Sequence, residues 1–177
     1  IVCVAAGVPR TIVSNLNLSA EKGEISGDYT PEQYVELTGV KERRFSEILT
    51  TSDLGFAAAL KLMADLGWEK SEVDALLFVS QTADYALPAT ACILQDKLGL
   101  SKECYAMDIA LGCSGWVYGL STAAALAAGG QFKKVLLIVG DAKRRAPQKY
   151  DPLFGSAATA TALEFVEGAE GFKFHFG

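Results

Sequence analysis

Two stretches of the chain run apolar without alternation, Ala75–Ser80 (ALLFVS) and Lys133–Gly140 (KKVLLIVG). Strands covered on both faces have this pattern, because neither side of the pleat needs to meet water. A shorter apolar run, Ile1–Pro9, is stopped by Gly7 and Pro9, and a further strand is expected around Cys104–Asp108. Helical segments lie between them. Thr30-Pro31-Glu32-Gln33 reads as a helix start with Thr30 as N-cap and Pro31 at the first helical position, and Gly39 marks its end. A better helix, capped by Thr51 or Ser52, runs to Leu66 with Phe56, Leu60 and Met63 on one stripe and Gly67 as its terminator. ATACILQDKLG stops at Gly99, and WVYGLSTAAALAA (Trp116–Ala128) is a buried helix interrupted only by small residues.

The twenty residues after Pro9 are polar and turn-rich. TGVKERRF (Thr38–Phe45) places Glu42, Arg43 and Arg44 on a loop, where a charge run is ordinarily solvated. At the far end, Ala157–Glu167 and Phe172–Phe176 alternate like strands around the turn EGAEG. Strand and helix thus alternate until a closing hairpin. That order predicts a single α/β domain over residues 1–177, three-layered αβα, with a mixed, mostly parallel central sheet that gains antiparallel strands at its end.

Half of the residues are hydrophobic and 21% charged, which excludes a disordered chain. With 16 Lys and Arg against 21 Asp and Glu the formal charge is −5, so nucleic acid is not an expected partner. The longest apolar stretch is too short to span a bilayer. Four cysteines without C-x-x-C spacing and one histidine argue against zinc and for a reduced, cytoplasmic protein.

The candidate chemistry lies in DIALGCSGWVYG, Asp108–Gly119. Cys113 falls where a strand turns into a helix, and a thiol there meets unpaired backbone N–H groups and the positive end of the helix dipole. Gly112 permits a sharp turn, and Gly115 permits close approach of a backbone or substrate, as a nucleophile at the bottom of a pocket requires. A small buried core cysteine is the competing reading.

Five blocks in order resemble the beta-ketoacyl-acyl-carrier-protein synthase III family of the thiolase-like superfamily. They are TGVKERRF, SDLGFAAALKLMADLGW, LLFVSQTADYALPATACILQDKLGL, DIALGCSGWVYGL and KKVLLIVGDA. The resemblance covers the family's N-terminal half and implies that Cys113 accepts an acyl group from a coenzyme A or acyl carrier protein thioester before condensation with a malonyl group. It implies Gly112, Ser114 and Phe154 beside the substrate, and Leu87 at a dimer interface, reaching the partner's acyl tunnel. No metal or separate cofactor is implied, and the expected partners are acyl carrier protein and a second copy of the chain. A non-condensing thiolase-like module that binds an acyl carrier or dimerises is the alternative.

The sequence also departs from the family. Its catalytic histidine and asparagine belong to the C-terminal half, and His175 does not match that histidine. FGSAATA puts Ser156 and Ala157 where the family has aspartate and glycine. Gln33 and Leu37 replace the tryptophan and arginine of the coenzyme A mouth, with Lys143, Arg144 and Arg145 as substitute charge or as an ordinary solvated loop.

Overall fold

The computed structural model describes residues 1–19, 25, 28–142 and 152–168. Strand β4 (Ala75–Val79) is its centre, and no residue of it is more than 1% exposed. It pairs in parallel with β5 (Tyr105–Ile109) on one side and with β6 (Lys134–Asp141) on the other. Beyond β6 lie β7 (Ala157–Glu164) and then β1 (Cys3–Gly7), giving the order β1-β7-β6-β4-β5. Both pairings of β7 are antiparallel. The sheet is therefore mixed, but the reversed strand lies inside it and not at its end, since β1 takes the edge position. The expected strand at Phe172–Phe176 lies outside the described residues, as does His175.

The period of two along β4 divides the core. Leu76 and Phe78 face one side with Leu62, Met63, Leu94, Leu98, Leu136 and Ile138. Ala75, Leu77 and Val79 face the other with Leu120, Ala123, Val135 and Leu137. Helix α2 (Thr51–Leu66) covers β1, β7 and β6 on the first side, and α3 (Thr90–Leu98) covers β4 and β5. Helix α4 (Gly115–Ala128) covers β4 and β6 on the second. This is the three-layer arrangement expected from the alternation of elements.

Helix ends follow local chemistry. Thr30 caps α1 (Pro31–Thr38) in a reciprocal box with Gln33, as its sequence predicts. Thr50, not Thr51 or Ser52, caps α2, boxed with Asp53. Burial would raise the Asp53 carboxyl, but hydrogen bonds from the Thr50 N–H, Lys97 and the Thr50 hydroxyl outweigh it and hold it below the ordinary value. The buried stripe of α2 is Leu54, Ala58, Ala59, Leu62 and Met63, whereas Leu60 is 43% exposed. Gly39, Gly67 and Gly99 end their helices at φ of 71°, 63° and 69°, where a side chain would be strained.

TGVKERRF is the main correction to the expected fold. Glu42–Phe45 is a strand, β3, paired antiparallel with β2 (Thr11–Ser14) in a second small sheet. Arg43 is buried, and its Nε donates to Asn15 Oδ1 at 2.8 Å. Asn15, also buried, donates from Nδ2 to the carbonyls of Val40 (2.8 Å) and Pro152 (2.9 Å). A pair of buried polar side chains thus does here what apolar packing does elsewhere, and periodicity is blind to it.

Tight seating of α4 is testable. A β-carbon at Gly119 would lie 2.6 Å from Leu137 Cδ1 and 3.1 Å from Val79 Cγ2. Gly119→Val should therefore lower stability by about 1–3 kcal/mol, despite the better helix propensity of valine. Urea unfolding followed by circular dichroism measures this, and an unchanged midpoint would refute the close packing.

Candidate active site

The carboxyl ends of β4, β5 and β6 fall at one edge of the sheet, because Val79 is level with both Ile109 and Val139. The reversed strand β7 brings its amino end to the same edge, with Ala157 opposite Asp141. Segments 80–89, 110–114, 141–142 and 152–156 are gathered there. Parallel α/β sheets place their ligands at this edge. All five residues singled out from the sequence, Leu87, Gly112, Cys113, Ser114 and Phe154, lie on these segments.

Cys113 sits in a turn closed by the Gly115 N–H donating to the Gly112 carbonyl at 2.7 Å. Ser114 is the N-cap of α4, but its side chain makes no capping bond. The thiol is exposed, so it does not lie at the bottom of a pocket formed by the described residues. Gly115 has a different task from the one expected. A β-carbon there would fall 2.6 Å from Val79 Cγ1, so the glycine admits the sheet beneath the helix and not a substrate above it. Trp116 Nε1 donates to Thr161 Oγ1 of β7 at 3.2 Å, pinning the first turn of α4 to the floor.

Three carboxylates that sequence reasoning left without a role fix the surrounding loops. Asp108, at the end of β5, accepts from the backbone N–H groups of Thr90 and Ala91, each at 2.7 Å. Helix α3 has Ala89 at its N-cap with no side-chain cap, so Asp108 serves as its cap from another element. Asp84 accepts from Ser52 Oγ at 2.6 Å and ties the same loop to the start of α2. Asp141 Oδ1 accepts from Ser80 Oγ, the Gln81 and Thr82 N–H groups and Thr82 Oγ1 at 2.9–3.1 Å. The Ala142 N–H in turn donates to Thr51 Oγ1 and Thr82 Oγ1, both at 3.0 Å.

Between these anchors the rim is apolar and open. Leu87 is 86% exposed, Tyr85 60% and Phe154 46%, and the Phe154 carbonyl accepts from Arg43 Nη1 at 3.2 Å. Leu87 is therefore not a core leucine of this chain. At the altered FGSAATA segment, the Ser156 N–H donates to the Arg44 carbonyl at 2.8 Å and ties this corner to β3. Lys143, Arg144 and Arg145 lie outside the described residues. Among the described residues no cluster of His, Cys, Asp and Glu could hold a metal, and no helix is long and apolar enough to cross a membrane.

The cysteines differ sharply. Burial, with the Asp74 charge adding, pushes the Cys104 thiol up to about 11, so only about 0.1% is thiolate at pH 8. Cys92 is exposed on the first turn of α3. The positive end of α3 already faces Asp108, whereas the α4 start has no side-chain cap. Iodoacetamide at neutral pH should therefore label Cys113 first, then Cys92, with Cys104 last. Asp108→Asn should raise the Cys92 rate about two- to fivefold and leave Cys113 unchanged. Peptide mass spectrometry reads this order, and slower labelling at Cys113 than at Cys104 would refute it.

Comparison with known proteins agrees with this geometry. Residues 107–177 match the family model of 3-oxoacyl-[acyl-carrier-protein] synthase III. The beta-ketoacyl-[acyl-carrier-protein] synthase III of Koribacter versatilis is 35% identical over 168 residues, 92% of this chain and 49% of the relative. That of Bacillus pumilus is 36% identical over 177 residues, 96% of this chain and 54% of the relative. The crystal structure of a 3-oxoacyl-(acyl-carrier protein) synthase from Burkholderia xenovorans superposes with a TM-score of 0.82 at 38% identity, covering 93% of this chain and 48% of that one. The chain thus spans about half the length of the curated relatives it matches. With both sequence and fold in agreement, the chain matches the N-terminal half of members of the beta-ketoacyl-acyl-carrier-protein synthase III family.

Proposed function

We propose that this chain is the nucleophile-bearing half of an acyltransferase that primes chain synthesis, with Cys113 accepting an acyl group from a thioester. The observation that carries the reading is an exposed thiol at the uncapped start of α4, on the edge where the sheet gathers its loops. Attack of the Cys113 thiolate on a thioester carbonyl forms a tetrahedral oxyanion, for which backbone N–H groups of the turn are the available donors. Collapse expels the carrier thiolate and leaves the acyl group on Sγ. Gly112 and Ser114 flank the sulfur, and Phe154 and Leu87 offer apolar surface to acyl chains. The carrier is coenzyme A or acyl carrier protein, and no further cofactor takes part.

The chain is expected to load but not to condense. Condensation needs a group that stabilises the malonyl carbanion, and the described residues at this edge offer no histidine for it. Incubation with butyryl thioester should add one butyryl mass to the Cys113 peptide. Cys113→Ala should abolish the adduct, and no 3-oxoacyl product should form when malonyl thioester is supplied. An adduct that persists in Cys113→Ala would overturn the assignment.

The same reading includes a homodimer in a cytoplasmic setting. An apolar side chain as exposed as Leu87 on a loop held by three carboxylates supports an interface there. Leu87→Asp should lower the dimer fraction in light scattering at micromolar concentration without changing the melting of the monomer. An unchanged fraction would remove Leu87 from the interface.

A further inference from the structure

Gln81 stands beside the Cys113 turn, two residues past the end of β4. Its backbone is fixed, since the N–H donates to Asp141 Oδ1 at 2.9 Å while Ser80 and Thr82 hold the same oxygen. From that anchor the side chain lies down on Gly112. A β-carbon at Gly112 would fall 2.6 Å from Gln81 Cδ and 3.1 Å from Oε1, and would overlap Nε2. With glycine before the nucleophile, the Gln81 carboxamide occupies the place a β-carbon would take.

The position matters because of what it leaves open. Gln81 is exposed, and among the described residues its carboxamide has no hydrogen-bond partner. It offers two N–H donors and a carbonyl acceptor. Adjacent Cα atoms are about 3.8 Å apart, so a carboxamide resting on Gly112 is within reach of the first few atoms of an acyl group on Cys113 Sγ. Ser114 is the other polar side chain of the turn, and the exposed rim side chains Leu87, Tyr85 and Phe154 are apolar apart from the Tyr85 hydroxyl.

We propose that Gln81 is a specificity-determining residue, whose carboxamide hydrogen-bonds an oxygen on the β-carbon of the incoming acyl group. Cys113 then accepts 3-hydroxyacyl groups in preference to plain acyl groups of equal length. The inference rests on the reading of Cys113 as acyl acceptor. In the step itself the bond from Sγ to the carbonyl carbon forms and the bond to the carrier sulfur breaks. The carrier thiolate leaves and takes up a proton, balancing the one lost by Cys113. Gln81 exchanges no proton.

The test uses the full chain with N-acetylcysteamine thioesters of butyrate and 3-hydroxybutyrate. Transfer to the Cys113 peptide is timed by mass spectrometry, and each rate is divided by that of the same thioester with free N-acetylcysteine. The chain should favour the 3-hydroxy substrate about three- to tenfold, the range of one hydrogen bond. Gln81→Leu should erase that preference, bringing the two normalised rates to about the same value. Gln81→Met carries the same test if Gln81→Leu loses its cooperative melting transition. Equal loss with both thioesters, or a preference that survives, overturns the inference and leaves the acyl-acceptor reading standing. Failure of the unaltered chain to take either thioester, with iodoacetamide still reacting at Cys113, overturns that reading and the inference with it.

Discussion

A helix can approach a sheet only as closely as its facing side chains permit, and at Gly115 and Gly119 α4 has none. Val79 and Leu137 fill the space that β-carbons would take, 2.6 Å from where each would stand. Spacing of four puts both glycines on one face of the helix. The axis of α4 is thereby lowered onto β4 and β6, and the height and direction of its first turn follow. Cys113 owes its place to that contact. Raising the helix by a side chain would lift the Gly112–Gly115 turn from the edge and draw Trp116 away from Thr161.

Above this apolar floor, the edge is organised by charge. Asp84, Asp108 and Asp141 each hold N–H or hydroxyl groups that would otherwise be left half-dry at helix starts and loop ends. Hydrogen bonds to an ionised partner contribute about 1.5–3 kcal/mol each, roughly twice a neutral one. The three carboxylates converge on one loop, residues 80–91, which is fixed at its beginning, middle and end. The exposed tip between them carries Tyr85 and Leu87. A rigid tip holds an apolar side chain in water without an ordering cost when something binds.

Much of this was legible in the sequence, and the parts that were not share one cause. Apolar runs without alternation gave β4 and β6, and the Thr-Pro-Glu-Gln start and the glycines after Leu66 and Leu98 gave helix ends, because those rules are local. TGVKERRF misled because its charges read as solvent-facing. The burial of Arg43 depends on Asn15, 28 residues away, and on the carbonyl of Phe154, 111 residues away. The reversed position of β7 had no local trace either, since its alternation is the same in an edge strand and in an inner one. At the site, the strand-to-helix position of Cys113 was readable, but its exposure, the true neighbour of Gly115 and the carboxylate anchors are products of packing.

For the acyl transfer proposed at this edge, the arrangement separates two demands. Positioning a nucleophile requires a floor that does not yield, and here that floor is dry, glycine-seated and covered on both faces of β4. Admitting acyl chains of varied shape requires a surface with few fixed partners, and the rim of Leu87, Tyr85 and Phe154 is of that kind. Apolar contact distinguishes chains weakly, since one methylene is worth only about 1–3 kcal/mol. A polar group beside the sulfur adds a discrimination of comparable size but different kind, because it responds to an oxygen on the chain and not to chain length. In the proposed acyl transfer, the apolar rim would then weigh chain length, and the few polar atoms facing the turn would weigh oxygens on the chain.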